Sequence, residues 1–264
     1  MRFKYLAGIA LGAVIVGCDD AALMKKWAPP EAEANARSYV EFLRQGKFDR
    51  IEHDLDASVT DSNVRETFAK MAAIFPTGDP VSVKVVGAHT FHGQAYSTTD
   101  ITLEYQFPGK WVLASIATQT KGDVSTVTGF HVNPMADSLE NLNKFSLLGK
   151  SAGQYLILIC GVCALLFSFY VLVLCIRTKV GKTKWLWMLF ILTGLVRLAV
   201  NWTTGEFTFM LFALNLPCFA ATRPLYGPWT LALYLPVGAI LFINHRRKLE
   251  VKGVAVEPPM QVQS

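Results

Sequence analysis

The chain has 264 residues, 52% of them hydrophobic, and a formal net charge of +5. The positive excess is confined, because residues 19–150 hold 13 Lys and Arg against 17 Asp and Glu, a balance of −4. A mildly acidic stretch of that size argues against nucleic acid as a partner, since such binding draws on basic side chains set against phosphates.

Met1-Arg2-Phe3-Lys4 is a short basic opening, and residues 5–17 are apolar but too few for a comfortable membrane span. Residues 1–17 therefore read as an export signal. Ile15-Val16-Gly17-Cys18 resembles the lipobox of bacterial lipoproteins, which are cleaved before a cysteine that carries a diacylglycerol thioether. The resemblance implies lipid attachment at Cys18, with fatty acids such as palmitate; the alternative is an uncleaved anchor with an incidental cysteine. Asp19 and Asp20 resemble the signal that holds such lipoproteins of enteric bacteria in the inner membrane. Residues 18–30 read as a lipid-anchored tether, stiffened at its end by Pro29-Pro30.

Residues 31–135 carry the pattern of an exported α+β domain. Ala36, Tyr39, Val40, Phe42 and Leu43 mark one face of a helix that stops at Gln45-Gly46. A second short helix carries Phe48, Ile51 and Leu55, and a third, capped at Asp61-Ser62, carries Val64, Phe68, Met71, Ala72 and Phe75. After Pro80 the period becomes two: Val81, Val83 and Val85; Ile101, Leu103, Tyr105 and Phe107; Trp111, Leu113, Ser115 and Ala117. Val124, Val127, Phe130 and Val132 suggest a fourth strand. Turns fall at His92-Gly93, Pro108-Gly109 and Gly122-Asp123. An antiparallel meander with helices on one face is expected. No cysteine lies between Asp19 and Lys150, so packing alone must hold this domain.

That order of elements, with a helix closing in Gln45-Gly46-Lys47-Phe48-Asp49, resembles the NTF2-like group of cystatin-like folds and its uncharacterised bacterial lipoprotein members. The resemblance implies helices packed on a curved sheet, in a group that includes enzymes, ligand binders and structural modules. It carries no catalytic residue onto this sequence, so fold alone does not fix function.

His53, His89, His92 and His131 are the domain's candidates for acid-base work, but an exposed or hydrogen-bonded surface role suits each better, and their spacing matches no zinc pattern. The run Glu52-His53-Asp54-Leu55-Asp56 reads as a solvated helix end rather than a cation site. No catalytic residue, metal or cofactor is assigned.

The remaining chain belongs to a membrane. Asp137-Ser138-Leu139-Glu140 has the form of a capping box opening an amphipathic juxtamembrane helix over 136–150, which reads equally as a helix in the outer interface or as a linker packed on the exported domain. Residues 151–252 form a membrane region in which α-helical spans are expected near 154–176, 185–202 and 229–244. Basic clusters follow the first and last of these, at 177–184 and 245–248, so both lie in the cytoplasm with the tail 253–264, and the α+β domain lies in the periplasm. Residues 207–221, broken by Asn215 and Pro217, read as an interfacial or re-entrant segment. Arg197, Glu206 and Arg223 are the candidates for a polar site at the outer interface; Arg197 reads by default as snorkelling to the headgroups, with an ion pair to Glu206 the sharper form. Cys160-Gly161-Val162-Cys163 has redox spacing but sits within a span, where inert packing is the natural role.

These features point to a non-enzymatic inner-membrane lipoprotein whose periplasmic domain binds a protein partner or small ligand beside membrane lipid. The competing expectation is a membrane-associated enzyme or transporter accessory subunit using the polar site.

Overall fold

The computed structural model describes residues 20–60 and 62–251, which fall into two compact units divided after Leu142. The leader, Cys18, Asp61 and the tail 253–264 lie outside the described residues.

In the first unit, helices α1 (Asp20–Trp27), α2 (Pro30–Arg44), α3 (Phe48–His53) and α4 (Val64–Ala72) precede strands β1 (Ser82–His92), β2 (Ser97–Phe107), β3 (Lys110–Lys121) and β4 (Val124–Met135). The strands form an antiparallel meander in sequence order, so the α+β expectation holds. Pro30, Glu31 and Glu33 open α2 with the fixed φ and the negative charge that a helix start favours. Gly46, at φ +69°, ends the turn that follows it. The helix buries Ala36, Val40 and Leu43 in one core with Ile101, Leu103 and Phe107 of β2 and Val112, Ala114 and Ile116 of β3. Each large aliphatic or aromatic side chain so buried contributes about 1.5–3 kcal/mol.

Several details of this unit differ from the sequence reading; α4, expected to be capped at Asp61-Ser62, is instead preceded by Asn63, which makes no side-chain cap bond. The expected tether over 18–30 contains a two-turn helix, α1, with Met24 buried and the helix resting on β1; its Ala, Leu, Met and Lys residues are good helix formers. In β3 the core face is Val112, Ala114 and Ile116, not the alternating set Trp111, Leu113, Ser115 and Ala117. Register decides this, because Tyr105, Leu103 and Ile101 of β2 stand opposite Val112, Ala114 and Ile116. In β4 a bulge at Thr128 lets Val127 and Phe130, three residues apart, both face the core, while Val124 is left exposed. Finally, the amphipathic helix over 136–150 is reduced to one turn, α5 (Leu139–Leu142), where Ser138 Oγ accepts from the Asn141 amide and buried Glu104 accepts from the Leu139 amide at 2.6 Å.

The second unit corrects the expectation of three helical spans. Among the described residues only α6 (Ala152–Arg177) is long and apolar enough to cross a membrane, with a mean hydropathy of 2.8 over its best window. The expected span near 185–202 is a nine-residue helix, α7 (Lys184–Leu192), continued by strand β5 (Arg197–Asn201). Thr193 and Gly194 break the helix, and the β-branched Val196 and Val200 suit the extended chain that follows. The expected span near 229–244 is strand β8 (Thr230–Tyr234) followed by α8 (Val237–Val251). Pro236 divides them, since it donates no N–H to a strand yet fits a helix start. Residues 207–221 hold β6 (Phe207–Met210) and β7 (Phe219–Thr222), which complete an antiparallel sheet of order β6-β5-β8-β7.

Small residues bring this sheet and the helices close. A Cβ at Gly161 of α6 would strike the Phe219 ring, and one at Gly238 of α8 would strike the Phe190 carbonyl. Residues 207–221 run inward from the Asn201 end of β5, reach Gly194, and return to the same end at Thr222 opposite Thr230.

The unit's two ends differ in chemistry. At one, the indole of Trp202 donates to the Ser146 carbonyl and accepts the stacked Phe145 ring, while Lys150 lies over Trp202 and Arg223 over Trp229. At the other, Val171, Cys175, Ile191, Ala239 and Phe242 form a core beneath the basic residues 177–184, and the His245 ring stacks on Trp187 at 4.9 Å.

Candidate binding groove

The loop between α3 and α4 is tied to the outer edge of β4. The Val127 amide donates to the Asp54 carbonyl at 2.7 Å, and the Asp56 amide donates to the Val127 carbonyl at 2.9 Å. Side chains hold the same joint. Asp56 Oδ1 accepts from the Ser58 amide and hydroxyl, and Oδ2 accepts from the Thr126 hydroxyl. These bonds, led by the Ser58 amide, hold its carboxyl below the usual carboxylate range. Tyr39 on α2 donates to Asp54 Oδ2 at 3.0 Å, and burial followed by this carboxylate pushes the phenol up to about 12.

Beyond Val127 the loop leaves the strand, and a cavity of about 260 Å³ opens between α4 and β4. Leu55, Val59, Val64, Phe68 and Met71 line it from the helical side, and Thr128, Gly129, Phe130 and His131 line it from the strand. Because β4 is an edge strand that only Leu55 pairs from outside among the described residues, its backbone borders the cavity directly. The groove combines an apolar floor with a strand edge able to accept another extended chain.

The histidines do not build a catalytic centre. The side chain of His53 is 86% exposed and bonds Asp54 through Nδ1 at 2.8 Å, while His89 and His92 are exposed on β1. His131 reaches the groove only at its rim. The carboxylates of Glu52, Asp54 and Asp56 turn to separate partners, Arg65, Tyr39 with His53, and Ser58 with Thr126, so they do not converge on a cation. Among the described residues no three His, Cys, Asp or Glu side chains group as metal ligands.

Arg197 and Glu206, expected in one polar site with Arg223, stand at opposite ends of β5. Arg197 opens β5 opposite Met210, whereas Glu206 bonds back to Asn201 at the other end of that strand. Among the described residues no ion pair joins Arg197 to Glu206. The Arg197 guanidinium instead points Nη1 at Met210 Sδ, 3.6 Å away, with Nε buried and without an acceptor, while Glu206 accepts from Thr204. Arg223 lies over Trp229, at the Glu206 end of the sheet. Cys160 and Cys163 are free and exposed on α6, and Cys218, which contacts Ser168, is also free.

Sequence reasoning missed the groove. Its one sequence signal is the slip from Val127 to Phe130, which marks the bulge, next to the Asp54 and Asp56 pair that closes the loop on the strand. Comparisons with protein families, with curated proteins and with solved structures find no match to the chain.

Proposed function

We propose that this is a membrane-held binding protein whose α+β domain takes an extended, apolar segment of a partner protein along β4. The observation that carries the reading is the groove between α4 and β4, where an apolar floor adjoins an uncovered strand edge. At about 260 Å³ it falls below the range of about 300–1,000 Å³ typical of small-molecule and cofactor sites, and suits one or two side chains of an added strand. Backbone pairing would supply affinity, and the pocket would select the side chain that enters it.

Membrane attachment rests on two further features. α6 is apolar along its length, yet only 22% of its most hydrophobic stretch is buried, so Leu156, Ile159, Leu166 and Ile176 would face water without a bilayer. The lipobox resemblance at Cys18 adds a second anchor. With both basic clusters at one end of the second unit and Trp202 and Trp229 at the other, the charge rule puts the basic end in the cytoplasm and the domain in the periplasm of a bacterial inner membrane. Helices on one face of a meander are the arrangement we read as NTF2-like.

The test is selection of binding peptides on the domain from Asp20 to Met135, followed by variants. Met71→Glu, which charges the groove floor, is expected to weaken a selected peptide at least tenfold, while His89→Ala on the opposite edge strand leaves it within twofold. Peptides that bind equally well to Met71→Glu would refute the groove as the site.

A further inference from the structure

A second groove lies on α7, with a volume of about 550 Å³, and it is lined by Leu186, Trp187, Leu189, Phe190 and Leu214 between Thr183 and Thr193. It follows the helix from its basic first turn toward the middle of the unit, a length of about 15 Å at the helical rise. Among the described residues, the lysines nearest the groove in sequence stand at its first end. Lys182 and Lys184 flank the lining residue Thr183 in sequence, and Lys184 Nζ donates to the Ile176 carbonyl near the end of α6. The stack of His245 on Trp187 brings the basic start of the run 245–248 to the same place. The opposite end, at Thr193 and Leu214, offers no charge among its lining residues.

We infer that this groove holds one anionic phospholipid of the cytoplasmic leaflet, its acyl chain along α7 and its phosphate at Lys182 and Lys184. An apolar channel with cations at one mouth matches a lipid in both shape and charge, and exposed lysines at a membrane surface favour anionic over zwitterionic headgroups. A peptide helix would have no use for a charge gradient confined to one end of so short a channel. The inference rests on the membrane reading given above, with the basic end cytoplasmic.

The test uses the full chain purified in mild detergent, titrated separately with phosphatidylglycerol and with phosphatidylcholine of the same acyl chains, and read by native mass spectrometry. One phosphatidylglycerol is expected to be retained at least tenfold more tightly than phosphatidylcholine. Lys182→Gln and Lys184→Gln should each reduce that preference about fivefold, whereas Leu189→Trp, which fills the channel, should lower retention of both lipids. Equal retention of the two lipids, a preference untouched by both lysine variants, retention untouched by Leu189→Trp, or a dimer that excludes lipid would overturn the site. Alkaline extraction of cell membranes separates the two claims. A chain released to the supernatant defeats the membrane reading, and a chain that stays in the pellet without lipid preference defeats only the groove.

Discussion

Phe68 packs its ring 6.1 Å from Phe48 and 6.0 Å from Phe130, and is 3% exposed. Phe68→Ala is therefore expected to cost about 3–5 kcal/mol in the thermal or denaturant unfolding of the α+β domain, while His53→Ala, an exposed side chain, should shift it by less than about 0.5 kcal/mol. The helical spacing of Val64, Phe68 and Met71 made this core position legible in the sequence. Tyr39 was legible only as an apolar-face residue, because its bond to Asp54 depends on how the next loop folds back. The raised pKa values of Tyr39 and Tyr105, each about 12, have a defined sign. Burial, the leading cause in both, favours the neutral phenol in the folded chain, so their contribution is complete below about pH 10 and is lost as pH rises through about 12. Alkaline unfolding followed by circular dichroism should thus fall steeply in that window, and Tyr39→Phe should flatten part of the fall. Arg197 stands farther from Trp202 than a helix would set it, because five residues of helix span about 7.5 Å and five residues of strand about 16 Å. With Nε buried and unpaired, Arg197→Met is expected to stabilise the detergent-solubilised chain against unfolding by about 1 kcal/mol; a loss of similar size would show that the guanidinium has an acceptor.

Periodicity placed α2, α3, α4 and all four strands of the meander, because each alternates against a single core. It failed where two faces of an element compete or where the chain changes state inside an apolar run. In β3, Trp111 and Leu113 are larger than Ala114, so size suggested the wrong face, and only the register with β2 corrects it. In the second unit, apolar length alone suggests helices at 185–202 and 229–244, although Thr193-Gly194 and Pro236 interrupt both runs. The capping box that the structure uses for α6, in which Ser151 Oγ accepts from the Gln154 amide and Gln154 Oε1 accepts from the Ser151 amide, was equally readable as Ser151-Ala152-Gly153-Gln154. The sheet order makes a direct prediction. Amides of the edge strands β6 and β7 should exchange hydrogen faster than those of the central β5 and β8, and protection that is strongest in 207–210 would mean that another chain covers that edge.

The whole chain joins a domain that packs its own core to a unit whose longest helix is mostly uncovered, and the proposed function needs both on their stated sides of a membrane. If Cys18 carries lipid, metabolic labelling with palmitate should mark the chain and Cys18→Ser should abolish the label. The direct measurement is thiol labelling with a membrane-impermeant reagent in spheroplasts, using chains with native cysteines replaced by serine and one cysteine introduced at His131, on the groove rim, or at Lys182, at the basic end. Position 131 should label fully in intact spheroplasts and position 182 only after the membrane is permeabilised. Labelling of position 182 in intact spheroplasts, or protection of position 131 until permeabilisation, would contradict a binding groove held outside a cytoplasmic membrane.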